Sequence, residues 1–248
     1  LEDARELDAG RLMVAANTQS GHLSSHPLHC GADFLLEKTI GRNQVNLVVA
    51  NSRGCNTAFG RIIGLQHDAW GGLNYNRDSA REIEAVHRSF FFNGANFHDA
   101  EFGDVAMTAD GKAAFNLKGM AWIRVTRLAA IHPRRGSQRV RIGFLKGSDQ
   151  VWGWYYPNSH TMGPRGFDGY DPADPKEYVD FDLLRIPFPK YGRWVSWNPE
   201  RWMTGTPYGP CDLVPWDAPL EALKRYRVLP MLGAHKFEDG WWRNYVEY

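Results

Sequence analysis

Strand-like runs alternate with helix-like stretches through the first 136 residues, and no other feature limits the fold as much. Two strands joined through a helix run in the same direction, so the alternation predicts a parallel sheet within an α/β architecture. Residues 11–17 read as the first strand, leaving Asn17, Gln19 and His22 in the loop that follows. The run Phe34-Leu35-Leu36, bounded by Gly31 and by the turn signal Ile40-Gly41-Arg42-Asn43, reads as a buried strand with Glu37 at its exit. A helix over 44–59 should bury Leu47, Val48, Cys55 and Phe59, and a third strand over 62–68 exits through Gln66, His67, Asp68 and Trp70. A helix over 78–87 follows, with Ile83 and Val86 at helical spacing. The aromatic run Ser89-Phe90-Phe91-Phe92 then reads as a strand that turns polar at Asn93 and Asn96 and finishes on Glu101. A longer helix over 112–131, with Phe115, Leu117, Trp122 and Val125 among its apolar residues, ends before Pro133 and Gly136.

Carboxylates, amides and aromatics at successive strand exits are what the rim of a parallel β/α barrel carries, because catalytic groups there come from strand C-termini. An eight-stranded barrel needs roughly 200 residues or more, whereas only four strands fit before residue 135. Residues 1–136 are therefore expected to be the C-terminal half of a barrel. The opening Leu1-Glu2-Asp3-Ala4-Arg5 reads as the end of a helix, and Trp241 to Tyr248 stops inside one. Further N- and C-terminal segments of the same polypeptide are expected on that basis. Past Gly136 the texture changes: a fresh strand over 139–147 leads into a long aperiodic stretch, 148–210, rich in Pro, Gly, Trp and Asp. Loops of that length are commonly functional or pinned against a neighbour. Strands over 211–215 and 226–233, a short helix from Leu220 and a helix over 239–248 complete a second α/β unit, 137–248.

A formal net charge of +1 with scattered basic residues gives no case for a nucleic-acid partner. No apolar stretch approaches the ~20 residues of a membrane span. Ten Trp, ten Tyr and thirteen Phe, many beside Gly, Asn and Asp, lean toward carbohydrate, since sugar rings stack on exposed aromatics, although aromatics also fill cores. Cys30, Cys55 and Cys211 form neither a zinc pattern nor a disulfide framework and read as free buried thiols. The compartment stays open, with a lean toward periplasm or secretion. His22, His26 and His29 could suggest a metal, yet their spacing aligns them only on a helix, and Pro27 argues for a loop. No metal and no cofactor is expected.

The second unit resembles the glutamine-amidotransferase-like domain that follows the catalytic barrel in bacterial β-galactosidases of the trimeric type. The matching residues are the strand Val140 to Leu145, the run Cys211-Asp212-Leu213-Val214-Pro215, and Leu223 to Gly233 leading into the helix from Asp239. Cys211 precedes its strand and no cysteine sits between glycines, so the resemblance implies a structural or assembly module rather than an amidotransferase. The first unit is similar to the late part of a glycoside hydrolase barrel, through Asp33 to Glu37, Arg53-Gly54, Gly60 to Gly64, Asn93-Gly94-Ala95 leading to Glu101, and His132-Pro133-Arg134-Arg135-Gly136. The resemblance implies a glycosidase acting on an oligo- or polysaccharide, and a homo-oligomer. Such enzymes commonly carry their glutamates three strands apart, whereas Glu37 and Glu101 stand two strands apart.

Glycoside hydrolysis needs two carboxylates across one bond, held about 5 Å apart in retaining enzymes. Glu37, after Leu35-Leu36, has the desolvated setting of a general acid, and Glu101 would be the nucleophile. Asp68 is the reserve acid, and His98 and Asp99 can orient Glu101 or bind a hydroxyl. Asn17, His22, Gln66, His67, Asp68, Trp70, Asn93, Asn96 and His98 form the expected substrate-binding set. Against this, either glutamate can cap a helix or pair with an arginine such as Arg53, which would make the chain a noncatalytic carbohydrate-binding or assembly subunit. A barrel enzyme of another class, such as an isomerase, would use the same acid and base pair.

Overall fold

A computed structural model of the chain describes residues 13–19, 25–40, 45–68, 79–101, 105–146, 186–188, 206–232 and 239–248. Strands β1 (Ala15–Gln19), β2 (Phe34–Ile40), β3 (Gly64–Asp68) and β4 (Phe97–Glu101) form one parallel sheet in the order β1-β2-β3-β4. Helix α1 (His26–His29) lies between β1 and β2, α2 (Val45–Ala58) between β2 and β3, and α3 (Ala80–Phe92) between β3 and β4. The protein is thus α/β, with a Rossmann-like parallel sheet alternating with helices. Val48 and Val49 of α2 pack in one cluster with Val86 and Phe90 of α3 and with Leu65 of β3. Both helices therefore cover the sheet face to which Leu65 belongs.

The largest departures from the sequence expectation each have a local reason. The aromatic run 89–92 is helical: Ser79 and Glu82 close a reciprocal capping box, and Ile83, Val86 and Phe90 then fall on one buried face. Gly94, with φ +97°, turns the chain out of α3 before β4 begins at Phe97. The long helix starts later than expected, because residues 105–115 form a hairpin of β5 (Val105–Met107) and β6 (Ala113–Phe115), placing Phe115 on a strand. Asn116 accepts from the backbone N–H groups of Lys118 (2.9 Å) and Gly119 (3.1 Å), which fixes the start of α4 (Leu117–Ile131) against α3. The expected loop around Pro27 is the short helix α1, where proline is tolerated because a first-turn N–H needs no partner.

The described strands beyond residue 141 pack on α2. Strands β7 (Ile142–Leu145) and β8 (Cys211–Val214) pair in parallel, and parallel bridges join Ile142 to Val228 and Leu145 to Met231. A short helix α5 (Leu220–Leu223) and α6 (Asp239–Glu247) follow. Leu47 and Ala50 of α2 share one core cluster with Leu213 and Leu232, and Ala58 joins another with Leu145, Val214, Leu223 and Tyr226. Helix α2 is consequently buried on nearly all sides, and Gly54 permits the approach: a Cβ there would lie 2.0 Å from the Leu213 carbonyl oxygen.

Polar residues of so buried a helix need partners. Asn56 both donates to the Leu35 carbonyl (3.0 Å) and accepts from the Leu35 N–H (2.7 Å), and Ser52 donates to the Gly64 carbonyl (2.7 Å). Arg53 pairs with Asp212 of β8 at 2.7 Å and donates to Asn93 Oδ1 (3.0 Å), Gln138 Oε1 (2.7 Å) and the Cys211 carbonyl (3.1 Å). Tyr226 donates its hydroxyl proton to the second Asp212 oxygen at 2.9 Å. One guanidinium thus ties α2, the end of α3, the 137–139 connection and β8 together. Among the described residues no helix is long and apolar enough to cross a membrane.

Candidate functional site

Side chains of a strand alternate between faces, and aligned residues of neighbouring strands share a face. The registers Lys38↔Gln66↔Asp99 and Ile40↔Asp68↔Glu101 therefore put these six positions on one face. Leu36, Gly64 and Phe97, with Asn17 of β1, form the row beneath. The face is opposite the one that Leu65 gives to α2 and α3. Its lower end is apolar: Phe34 and Phe97 meet with ring centroids 5.5 Å apart, and Gly64 leaves the Phe34 ring room that a Cβ would occupy at 2.6 Å. Towards the strand C-termini it becomes polar. Asn17 donates to Gln66 at 2.6 Å and Gln66 donates to Asp99 at 3.1 Å, while Lys38 pairs with Glu101 at 2.5 Å. Lys38 is nearly buried, and the Glu101 side chain stays 42% exposed.

Glu37 belongs to the other face. Its register partners are Leu65 and His98, and its strand continues three residues beyond it to Ile40 instead of ending there. The carboxylate is buried beneath α2 and accepts from Asn51 at 2.6 Å. The structure does not bring Glu37 and Glu101 together: the sheet lies between them.

His67 and His98 also turn toward the helices. The two Nδ1 atoms of His98 and His87 lie 2.9 Å apart, and His67 meets the His87 ring edge-on at 5.5 Å. Burial holds His87 well below the usual imidazole range, with the neighbouring His67 and His98 acting in the same direction. His98 is lowered by burial and then by Arg135, against a smaller opposing pull from Asp99. Asn93 and Asn96 sit at the other end of the sheet from Glu101. Asn93 is the C-cap of α3 and a partner of Arg53, and Asn96 accepts from the Ile63 N–H at 3.0 Å. Both do structural work before β4 starts. Asn17 and Gln19, expected in a loop, lie in β1. His22 and Trp70 fall outside the described residues, as does nearly all of the stretch 148–210.

Comparison with protein-family models, curated proteins and solved structures finds no match. The geometry alone carries the reading. His29 is within 3.1 Å of Asp217, and no group of metal-ligating side chains occurs among the described residues. Of the three cysteines, none in a disulfide, Cys55 and Cys211 are buried as expected, but Cys30 is exposed. Lys38 is the member that sequence reasoning passed over. Its signal was available in the period of two, since Leu36 and Lys38 share a face that Glu37 does not.

The row offers a cation beside a carboxylate, two amides with both donor and acceptor atoms, and a second carboxylate at Asp99. Such a set can hold hydroxyl groups, and the half-exposed Glu101 can exchange a proton or attack a polarised carbon.

Proposed function

We propose that the polar end of this face is the sugar site of a glycoside hydrolase, with Glu101 and Asp68 as its carboxylates. The carrying observation is that these residues are register partners on adjacent strands, at the C-terminal edge of the sheet and on the face away from the helices. Backbones of adjacent strands stand about 4.8 Å apart, and a retaining mechanism needs its two carboxylates about 5 Å apart, so the proposal takes the pair from neighbouring strands. One group protonates the leaving oxygen while the other attacks the anomeric carbon. Lys38 fixes the direction of Glu101, and Asn17, Gln66 and Asp99 supply hydrogen bonds to ring hydroxyls.

The barrel interpretation belongs with this proposal. An unreversed strand order with both longer crossover helices on one face is what an arc of a β/α barrel needs, whereas a doubly wound sheet reverses its order. Two side-chain contacts on the opposite face skip a strand, from β1 to β3 and from β2 to β4, which favours a face curved inward. The parallel β7–β8 pair supports the amidotransferase-like module as the second unit.

The test is turnover on a panel of aryl glycosides and oligosaccharides with Glu101→Gln, Asp68→Asn and Glu37→Gln variants. Losses of about 1,000-fold or more for Glu101→Gln and Asp68→Asn at unchanged melting temperature are expected, against a Glu37→Gln variant that loses stability while keeping its turnover per folded molecule. Unchanged turnover in Glu101→Gln would refute the assignment. The noncatalytic carbohydrate-binding reading has its own support, because Lys38 and Gln66 already engage Glu101 and Asp99 as the walls of a binding groove do. Saturable sugar binding without any turnover would select it.

A further inference from the structure

A second cluster of reactive groups lies on the helix-covered side of the sheet, apart from the proposed sugar site. Lys146, just after β7, is buried and places its Nζ 3.0 Å from Cys55 Sγ and 2.9 Å from Asn51 Oδ1, while Asn51 donates to Glu37 at 2.6 Å. A lysine is seldom taken fully out of water, so a buried amine held against a thiol from the opposite layer is a costly arrangement. Burial pushes the Cys55 thiol up, and the Lys146 charge and hydrogen bond act against that rise. Cys30 is exposed, and Cys211 Sγ lies 3.4 Å from Thr206 Oγ1 and 3.7 Å from the Gly209 carbonyl oxygen.

We propose that Cys55 and Lys146 are an oxidative crosslinking site, closing a sulfenamide bond between α2 and β7 when the protein meets hydrogen peroxide. The Cys55 sulfur attacks one peroxide oxygen, the O–O bond breaks, and water leaves a sulfenic acid. The Lys146 nitrogen then attacks that sulfur: an S–N bond forms, the S–O bond breaks and a second water departs. One thiol, one ammonium and one peroxide give the sulfenamide, two waters and one proton, and the Glu37 carboxylate in the same cluster takes the proton. Sulfur is oxidised by two electrons and peroxide is reduced by two. The link joins residues 91 positions apart across the contact between the four-strand sheet's helix layer and the β7–β8 pair. Oxidation would therefore lock the two halves of the chain together.

The experiment treats the whole chain carrying Cys30→Ser with hydrogen peroxide and reads intact mass, peptide maps and melting temperature. Expected are a species about 2 Da lighter, a linked peptide pair containing Cys55 and Lys146, a higher melting temperature, and reversal of all three by dithiothreitol. Lys146→Arg and Cys55→Ser should each abolish the link. The peptide map of the Cys30→Ser chain decides the matter even where those variants fold poorly. Recovery of Cys55 as an unaltered thiol, or as sulfinic or sulfonic acid beside an unmodified Lys146, would overturn the proposal.

Discussion

Removing the Asp212 carboxylate tests the contact that joins the two halves of the chain. Arg53 and Asp212 are both almost fully shielded from water, 5% and 1% exposed, and their 2.7 Å contact crosses from α2 to β8. In Asp212→Ala the guanidinium keeps Asn93, Gln138 and the Cys211 carbonyl but loses its only described anionic partner, and the Tyr226 hydroxyl loses its acceptor. Breaking one side of a buried pair costs about 3–5 kcal/mol, because the remaining charge has no counterion. That is a large share of the roughly 5–15 kcal/mol by which a native domain is stable. With a urea slope of about 2 kcal/mol per M, a loss of about 4 kcal/mol lowers the midpoint by about 2 M. The companion variant Arg53→Met with Asp212→Leu removes both charges and fills the volume, so it should recover most of the loss. The assay is equilibrium urea unfolding followed by tryptophan fluorescence and circular dichroism. A loss below about 1 kcal/mol for Asp212→Ala, the size typical of an exposed pair, would refute the burial of this contact and the docking of β8 on α2.

Two further outcomes follow from the same packing. Gly54→Ala would stabilise an exposed helix by roughly 1 kcal/mol, but here the new Cβ meets the Leu213 backbone at 2.0 Å, so a net loss of about 1–3 kcal/mol is expected in the same unfolding assay. A gain would place β8 away from α2. Stability should also fall on acidification below pH 6.5: the unfolded chain takes up protons on His87 and His98 there, and the folded chain, whose imidazoles are held lower by burial, does not. The slope is up to about 1.4 kcal/mol per pH unit for each histidine, full stability is kept above the unfolded value, and a urea midpoint equal at pH 7.5 and 5.5 would contradict it.

The α/β class and the four parallel strands were legible because hydrophobic period and strand–helix alternation are local signals. The run 89–92 was not, since three aromatics in a row fit a strand as well as the buried side of a helix. Ser79 and Glu82, ten residues upstream, decided it. Helix α2 was misjudged in a different way: a one-sided apolar face was expected, whereas β8 covers the other side, and nothing within residues 45–58 announces a partner some 160 positions away.

The faces of the two glutamates follow from parity once the register is known. Glu37 aligns with Leu65 and then with His98, and Glu101 stands three residues beyond His98. An odd offset along a strand reverses the face, so the two carboxylates point to opposite sides whatever the loops do. Reading each glutamate as the last residue of its strand concealed this, because two strand ends look equivalent until the sheet aligns them. The same count carries Asp68, the register partner of Glu101, onto the face with Lys38, Gln66 and Asp99. A one-residue slip of β4 against β3 would exchange the roles again, putting His98 and Ala100 on that face and hiding Glu101 beneath the helices. The hydrogen bond from Gln66 to Asp99 and the ion pair from Lys38 to Glu101 both belong to the observed alignment and would be lost in the slipped one. The polar row is therefore held by the same side chains that the proposal assigns to the sugar, and substitutions there should be judged by binding and turnover together with strand register.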